Sequence, residues 1–263
     1  MAVWNDWDIW DMWWNKPVTK FNKISICTTC MDRLFTLKEC LLKNIEDNRD
    51  YPNVEFVVLN YNSKDEIDDW VKANCMPLIE EGILNYYKTT EPEFYSMAIS
   101  RNIAFKVAQG DIVNNVDADN LIGKGFVSFV NMLANEAPEK AVFTKGKRMM
   151  HGRLGFYKKD FIELLGGYNE QLKGYGYDDH DLLRRGMDQG FKLMWYGGRF
   201  LQRAKTPKNI ATKNMENKNW KETEKINKAI SEENLKNKIY KANEGIEWGK
   251  ATLLKNFTEE IAV

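Results

Sequence analysis

The sequence predicts an α/β fold with a largely parallel central sheet. Three observations carry that expectation. Short β-branched and apolar runs alternate with segments whose apolar residues recur at helical spacing. Gly110-Asp111 closes one helical pattern and opens a short strand with Ile112, Val113 and Val116. Two carboxylates, Asp117 and Asp119, follow at once, at the C-terminal end of that strand, where open α/β sheets bind ligands.

Length and composition bound the answer. The chain has 263 residues, zero formal net charge and 43% hydrophobic residues, enough for one large domain or two small ones with a real core. Balanced charge argues against a dedicated nucleic-acid binder, which would carry a basic excess. No apolar run approaches the roughly 20 residues that span a membrane. The N-terminus lacks a basic stretch followed by an apolar one, so no secretory signal is expected. The four cysteines read as reduced. The expected location is cytoplasmic, with peripheral attachment to a membrane left open.

Residues 1–16 interleave Trp4, Trp7, Trp10, Trp13 and Trp14 with Asp6, Asp8 and Asp11. Four of those rings share one side of a helix. The arm reads first as a face that packs on its own domain or on a second copy of the chain. A sugar-stacking surface is the alternative. A membrane-surface helix fits less well, because the polar face is acidic.

Ile24 to Thr28 reads as the first strand, and Leu34, Leu37, Leu41 and Ile45 then recur as a helix. Cys27 and Cys30 form a CxxC that reads as packing more readily than as a redox pair. Arg33, in the loop after this strand, is a candidate for a diphosphate or base contact, against a plain surface arginine. Val54 to Leu59 is the second strand. Asn60, just past it, can read a nucleotide base or cap the helix that carries Ile67, Trp70 and Val71. Ile83 to Tyr87 is a third strand, and a helix from about Ser96 to Gln109 leads into the Asp117/Asp119 stretch. Ala141–Thr144, Arg153–Tyr157 and Phe191–Tyr196 read as later strands. From about Lys205 the chain turns polar, with Ser231 read as the cap of a last helix carrying Leu235, Ile239, Ala242 and Ile246.

Two stretches carry chemistry. In a strand or its direct extension, residues i and i+2 face one side. Asp117 and Asp119 then offer two hard oxygen ligands that suit Mg²⁺ or Mn²⁺, completed by phosphate and water. A polar turn is the plain alternative. The second stretch is Gly174-Tyr175-Gly176-Tyr177-Asp178-Asp179-His180-Asp181. Its glycines permit close backbone approach, its tyrosines offer flat faces with polar tips, and its acids stand at a helix start, where the dipole favours carboxylates. Simple helix capping would also explain those acids.

With both stretches in view, the chain resembles the GT-A glycosyltransferases, family 2 in particular. Its second half resembles the C-terminal part of the β-1,4-galactosyltransferases and polypeptide N-acetylgalactosaminyltransferases. The likeness covers about residues 22–205. Ser96 to Ala104, with Arg101-Asn102, resembles the segment before the metal motif. Asp117-Ala118-Asp119 resembles the DxD motif, and Gly167 to Asp179 resembles the acceptor segment. The resemblance implies a GT-A domain over 17–205, an arm over 1–16 and peripheral helices over 206–263. It implies a nucleotide-sugar donor held by Thr28, Arg33, Asn60, Arg101, Asp117 and Gly152, with Met149 beside the donor sugar. Asp117 and Asp119 would ligate Mn²⁺ or Mg²⁺. Asp178, Tyr175 and Tyr177 would hold a carbohydrate acceptor, and Asp179 would act as the base. One departure stands out. The galactosyltransferases supply a later His to the metal, and Arg199 to Ala204 here contains none; His151 and His180 are the only histidines.

The expected activity is metal-dependent transfer of a sugar from a UDP-sugar to a carbohydrate hydroxyl, with inversion. Two rivals stand beside it. A nucleotidyltransferase would want a Gly-rich basic phosphate loop near the first strand, which is missing. A non-catalytic sugar-binding relative would fit the missing His and the Trp-rich arm. That arm is also the expected site of any self-association.

Overall fold

The computed structural model describes residues 18–137, 139–144, 153–196, 198–200, 202–204, 206 and 208–263. The Trp-rich arm and the Met149–Gly152 segment lie outside the described residues.

Strand β1 (Ile24–Cys30) is buried along its whole length, and β2 (Val54–Tyr61) nearly so. Continuous apolar runs of this kind belong to strands covered on both faces. Strand β3 (Leu84–Thr89) follows β2 in parallel, and β4 (Ile112–Asn115) lies on the other side of β1, also parallel. Chain order reverses there, because β1 sits between β2 and β4. A crevice at the strands' carboxyl ends is the expected consequence. Strands β6 (Ala141–Thr144), β7 (Gly155–Tyr157) and β8 (Lys192–Trp195) extend the sheet past β4.

Side chains alternate across this sheet with period two. Phe56 and Val58 join one apolar cluster, with Leu37 and Leu41 of helix α1 (Leu34–Glu46). Val57 and Leu59 join the other, with Ile103 and Phe105 of helix α4 (Met97–Val107). Between these, α2 (Ile67–Asn74) and the short α3 (Met76–Glu80) link β2 to β3. Helix α5 (Phe126–Glu136) covers the first face through Phe126, Val127 and Val130. Helices α6 (Lys158–Glu163) and α7 (Asp178–Asp188) cover the second through Phe161 and Leu182. A two-stranded annex pairs β5 (Asn120–Leu121) with β9 (Gln202–Arg203), the latter preceding the short α8 (Lys208–Ala211).

The C-terminal tail departs from the expected last helix at Ser231. Helix α9 runs over Trp220–Lys236, and Asn219 caps it by accepting from the Glu222 N–H at 3.4 Å. Ser231 is buried in its interior. The helix cannot run on to Ile239 and Ala242, because Lys238 and Asn243 hold positive φ (59° and 55°). The chain then forms a hairpin, β10 (Thr252–Lys255) with β11 (Glu259–Ala262), and β10 pairs antiparallel with β3. Its turn places Asn256 and Phe257 at positive φ, as tight hairpins require, but without the Asn-Gly signature that would betray it in the sequence. The sheet thus has nine strands among the described residues. All but β7 and β10 point the same way.

Candidate active site

A cavity of about 360 Å³ opens at the carboxyl ends of β1 and β4. Asp117 and Asp119 line it on one side, and Tyr175, Tyr177, Asp178 and Asp179 on another. Arg33, Arg101 and Arg203 supply the positive charge.

Asp117 and Asp119 sit just past β4 in a real turn, closed by the Asn120 N–H donating to the Asp117 carbonyl at 2.9 Å. The polar turn expected as the plain alternative is therefore present, and both acids line the cavity from it. Asn115 Nδ2 and Arg101 Nη2 both donate to Oδ1 of Asp117, at 3.0 and 2.9 Å. Burial would raise the Asp117 pKa, and Arg101 with Asn115 holds it below the usual carboxylate range. Asp119 is pushed the other way, by burial first and by the charge of Asp117 second. Arg33 and Arg203 approach its Oδ2 at 3.6 and 4.0 Å.

These two acids fit a divalent cation on one observation. Oδ2 of Asp117 accepts no hydrogen bond among the described residues, and the charge of Asp117 works against the ionisation of its neighbour. Mg²⁺-type sites are commonly completed by substrate phosphate and water. No group of three His, Cys, Asp or Glu is disposed for a metal among the described residues. His180 lines the cavity with its ring 5.4 Å from that of Tyr177.

Across the cavity, α7 begins at Asp178, after Tyr177 has turned into the left-handed region at φ 72°. Arg101 Nη1 contacts Asp178 and reaches Asp179 Oδ1 at 3.1 Å. The Tyr168 hydroxyl adds a contact to Asp179 at 3.3 Å. Burial pushes the Asp179 carboxyl up to about 7; Arg101 opposes the rise, and Asp178 and Asp117 add to it. A carboxylate poised near neutral pH is what a general base needs.

Not every expected residue reaches the cavity. Asn60 is fully buried, its Oδ1 taken by the Ser63 N–H at 2.8 Å and its Nδ2 donated to Asp68 at 2.9 Å. Its amide orders the loop before α2 and holds Asp68 of that helix, but it does not cap it: Glu66 takes the N-cap position, with no side-chain cap bond. Thr28 donates to the Val116 carbonyl at 2.8 Å and ties β1 to the Asp117 turn; the next residue, Thr29, lines the cavity instead. Cys27 and Cys30 are free and buried, which pushes the Cys27 thiol well up and Cys30 up to about 12, so both sit as packed thiols with the thiolate disfavoured. Gly152 lies outside the described residues.

Other lining residues carried no signal in the sequence. Tyr95 donates its N–H to the Asn214 carbonyl at 2.8 Å, and Asn214 Nδ2 donates to the Met31 carbonyl at 2.9 Å. The polar tail thereby closes one wall, through partners more than a hundred residues apart. Helix α9 grips the Gly-Tyr loop as well. Asn227 Nδ2 donates to the carbonyls of Lys173 and Gly176 at 2.9 and 2.8 Å, and its Oδ1 accepts from the Lys173 N–H at 3.1 Å. Asn227→Ala removes three bonds from a buried side chain to the backbone of Lys173 and Gly176, each worth about 0.5–1.5 kcal/mol. A lower melting temperature is the expected result; an unchanged one would show that these bonds do not secure the loop.

The glycosyl transferase family 2 model matches residues 25–177, more than half of the chain. The chain belongs to glycosyl transferase family 2. Solved structures agree on the fold of this family 2 chain. A mannosyltransferase, PcManGT from Pyrobaculum calidifontis in complex with GDP-Man and Mn²⁺, is 21% identical, covers 76% of this chain and 64% of its own, with a TM-score of 0.59. S. aureus TarS 1–349 is 16% identical, covers 71% and 61%, and has a TM-score of 0.56. GalNAc-T7 with UDP, GalNAc and Mn²⁺ is 14% identical, covers 68% and 43%, and has a TM-score of 0.55. These neighbours are GT-A glycosyltransferases, and this chain spans less than two thirds of their length. No curated protein matches it. No helix among the described residues is long and apolar enough to cross a membrane.

Proposed function

We propose that this family 2 chain transfers a sugar from a UDP-sugar to a carbohydrate hydroxyl, with inversion and with Mn²⁺ or Mg²⁺. The observation that carries the reading is one cavity with an acid pair at each side, Asp117/Asp119 and Asp178/Asp179. The family and the nucleotide-sugar and Mn²⁺ complexes of its structural neighbours support the donor class.

Asp117 and Asp119 would hold the ion, which supplies charge neutralisation for the departing diphosphate. Arg33 and Arg203, half-turned toward Asp119, bind the diphosphate from the protein side. Tyr175 and Tyr177 offer flat faces to the acceptor ring, and Asp178 orients its hydroxyl. Asp179 takes the hydroxyl proton, and the freed oxygen attacks the anomeric carbon from the face opposite the diphosphate.

Calorimetric titration with UDP, with and without Mn²⁺, tests the donor half of this reading. Tight UDP binding that Mn²⁺ strengthens is expected. Indifference to UDP, with binding of GDP, would move the donor to a different nucleotide. The Trp-rich arm is assigned to self-association. Removing residues 1–16 is expected to change the association state in sedimentation while UDP binding stays intact; a folded truncation that no longer binds UDP would put the arm in the donor site.

A further inference from the structure

We propose that Arg101 is a positioning residue, which fixes the base Asp179 relative to the donor-side carboxylate Asp117, and not a ligand of the donor's diphosphate. The inference rests on the transferase reading above. Arg101 is 1% exposed, and both of its terminal nitrogens are committed. Nη2 donates to Asp117 Oδ1 at 2.9 Å, while Nη1 contacts Asp178 and lies 3.1 Å from Asp179 Oδ1. One guanidinium thus bridges the two acid pairs. Burial works against its charge, and the three carboxylates more than reverse that, raising its pKa well above the usual value.

The mounting is rigid. Helix α4 carries Arg101 and is capped by Ser96, whose hydroxyl accepts from the Ile99 N–H at 3.3 Å. The next residue, Asn102, holds the backbone of Tyr168 through two bonds, of 2.8 and 2.9 Å. Tyr168 in turn faces the Arg101 guanidinium at 5.4 Å and contacts Asp179. Successive residues of one helix turn therefore set the acid and the ring beside it.

Diphosphate binding by Arg101 would strip Asp178, which is buried, and Asp179, which is largely buried, of their cation, which is unfavourable. Arg33 and Arg203 are engaged less closely, with Asp119 alone among the described residues. Their side chains are 19% and 49% exposed, and they stand off Asp119 at 3.6 and 4.0 Å. Lysine cannot replace Arg101, because a point charge has no planar fork with which to engage two sides at once.

Arg101→Lys decides the matter through three readings: UDP affinity, turnover, and a crystal structure. UDP affinity is expected to stay at the wild-type level while turnover falls ~10²-fold, the typical cost of misplacing a reacting group. Equal losses in UDP affinity and turnover would make Arg101 a diphosphate ligand, and wild-type turnover would reduce it to a structural ion pair; either result overturns the proposal. Should the wild-type chain turn over no donor, the transferase reading fails by itself. The crystal structure of the variant then decides positioning: a displaced Asp179 carboxylate supports it, and an unmoved one overturns it. If Arg101→Lys does not fold, Arg101→Gln, which keeps two donors without the charge, carries the same three readings.

Discussion

Asp179→Asn is expected to cut turnover by ~10²–10⁴-fold, the usual worth of general-base catalysis, while UDP binds as before. The substitution keeps the shape of the side chain and removes its ability to take a proton, together with the charge that faces Arg101. If Asp179 merely served the first turn of α7, where Tyr177 holds the N-cap position, turnover would stay near wild type. Near-normal turnover with normal stability would therefore remove Asp179 from the mechanism. The pH profile gives an independent check. Burial, with the charges of Asp178 and Asp117, sets this carboxyl at about 7. Only the deprotonated form accepts the acceptor's proton, so the rate should fall as pH drops through about 7. Stability should respond as well. The folded chain keeps this proton up to about 7, while the unfolded chain releases it near the ordinary value of 3.8. The stabilisation is complete below that lower value and is lost as pH rises through about 7. Asp179→Asn should flatten that slope.

Asp119→Ala is expected to abolish activity and to weaken UDP binding only when Mn²⁺ is present. Without the ion the opposite tendency is expected. Removing Asp119 frees Arg33 and Arg203 from their shared carboxylate, so metal-free UDP binding should hold or tighten. Titrations of both proteins under both conditions separate the ligand role from a general loss of charge. A variant that binds Mn²⁺ and UDP together as tightly as wild type would show that Asp119 does not ligate the ion.

Much of the Asp117 side of this cavity was legible because its causes are local. The buried run of β1, the Ser96 cap of α4, the short β4 and the acids after it are each specified by neighbours in the chain. The start of α7 at the Asp178-Asp179 pair was legible for the same reason. Arg101 was visible as a residue, yet its partners were not, because Asp178 and Asp179 reach it across 77 and 78 positions. The wall made by Tyr95 and Asn214 has the same origin. The terminal hairpin was hidden for another reason. Among its strand residues only Leu253 is fully buried, so the alternation that marks a half-covered strand is blurred. Asn60 neither lines the cavity nor caps α2, the two roles a polar side chain at a strand end suggests, because Ser63 and Asp68, close in sequence, take up its amide.

The most direct test of the account is acceptor-dependent release of UDP from a panel of UDP-sugars with Mn²⁺ and simple sugar acceptors, run beside GDP-sugars. The account predicts UDP release from at least one UDP-sugar, stopped by chelation and by Asp179→Asn. Tight UDP binding with no release from any donor would contradict it and leave a sugar-nucleotide-binding module. Pyrophosphate formed from a nucleoside triphosphate and a sugar phosphate would contradict it in favour of nucleotidyl transfer.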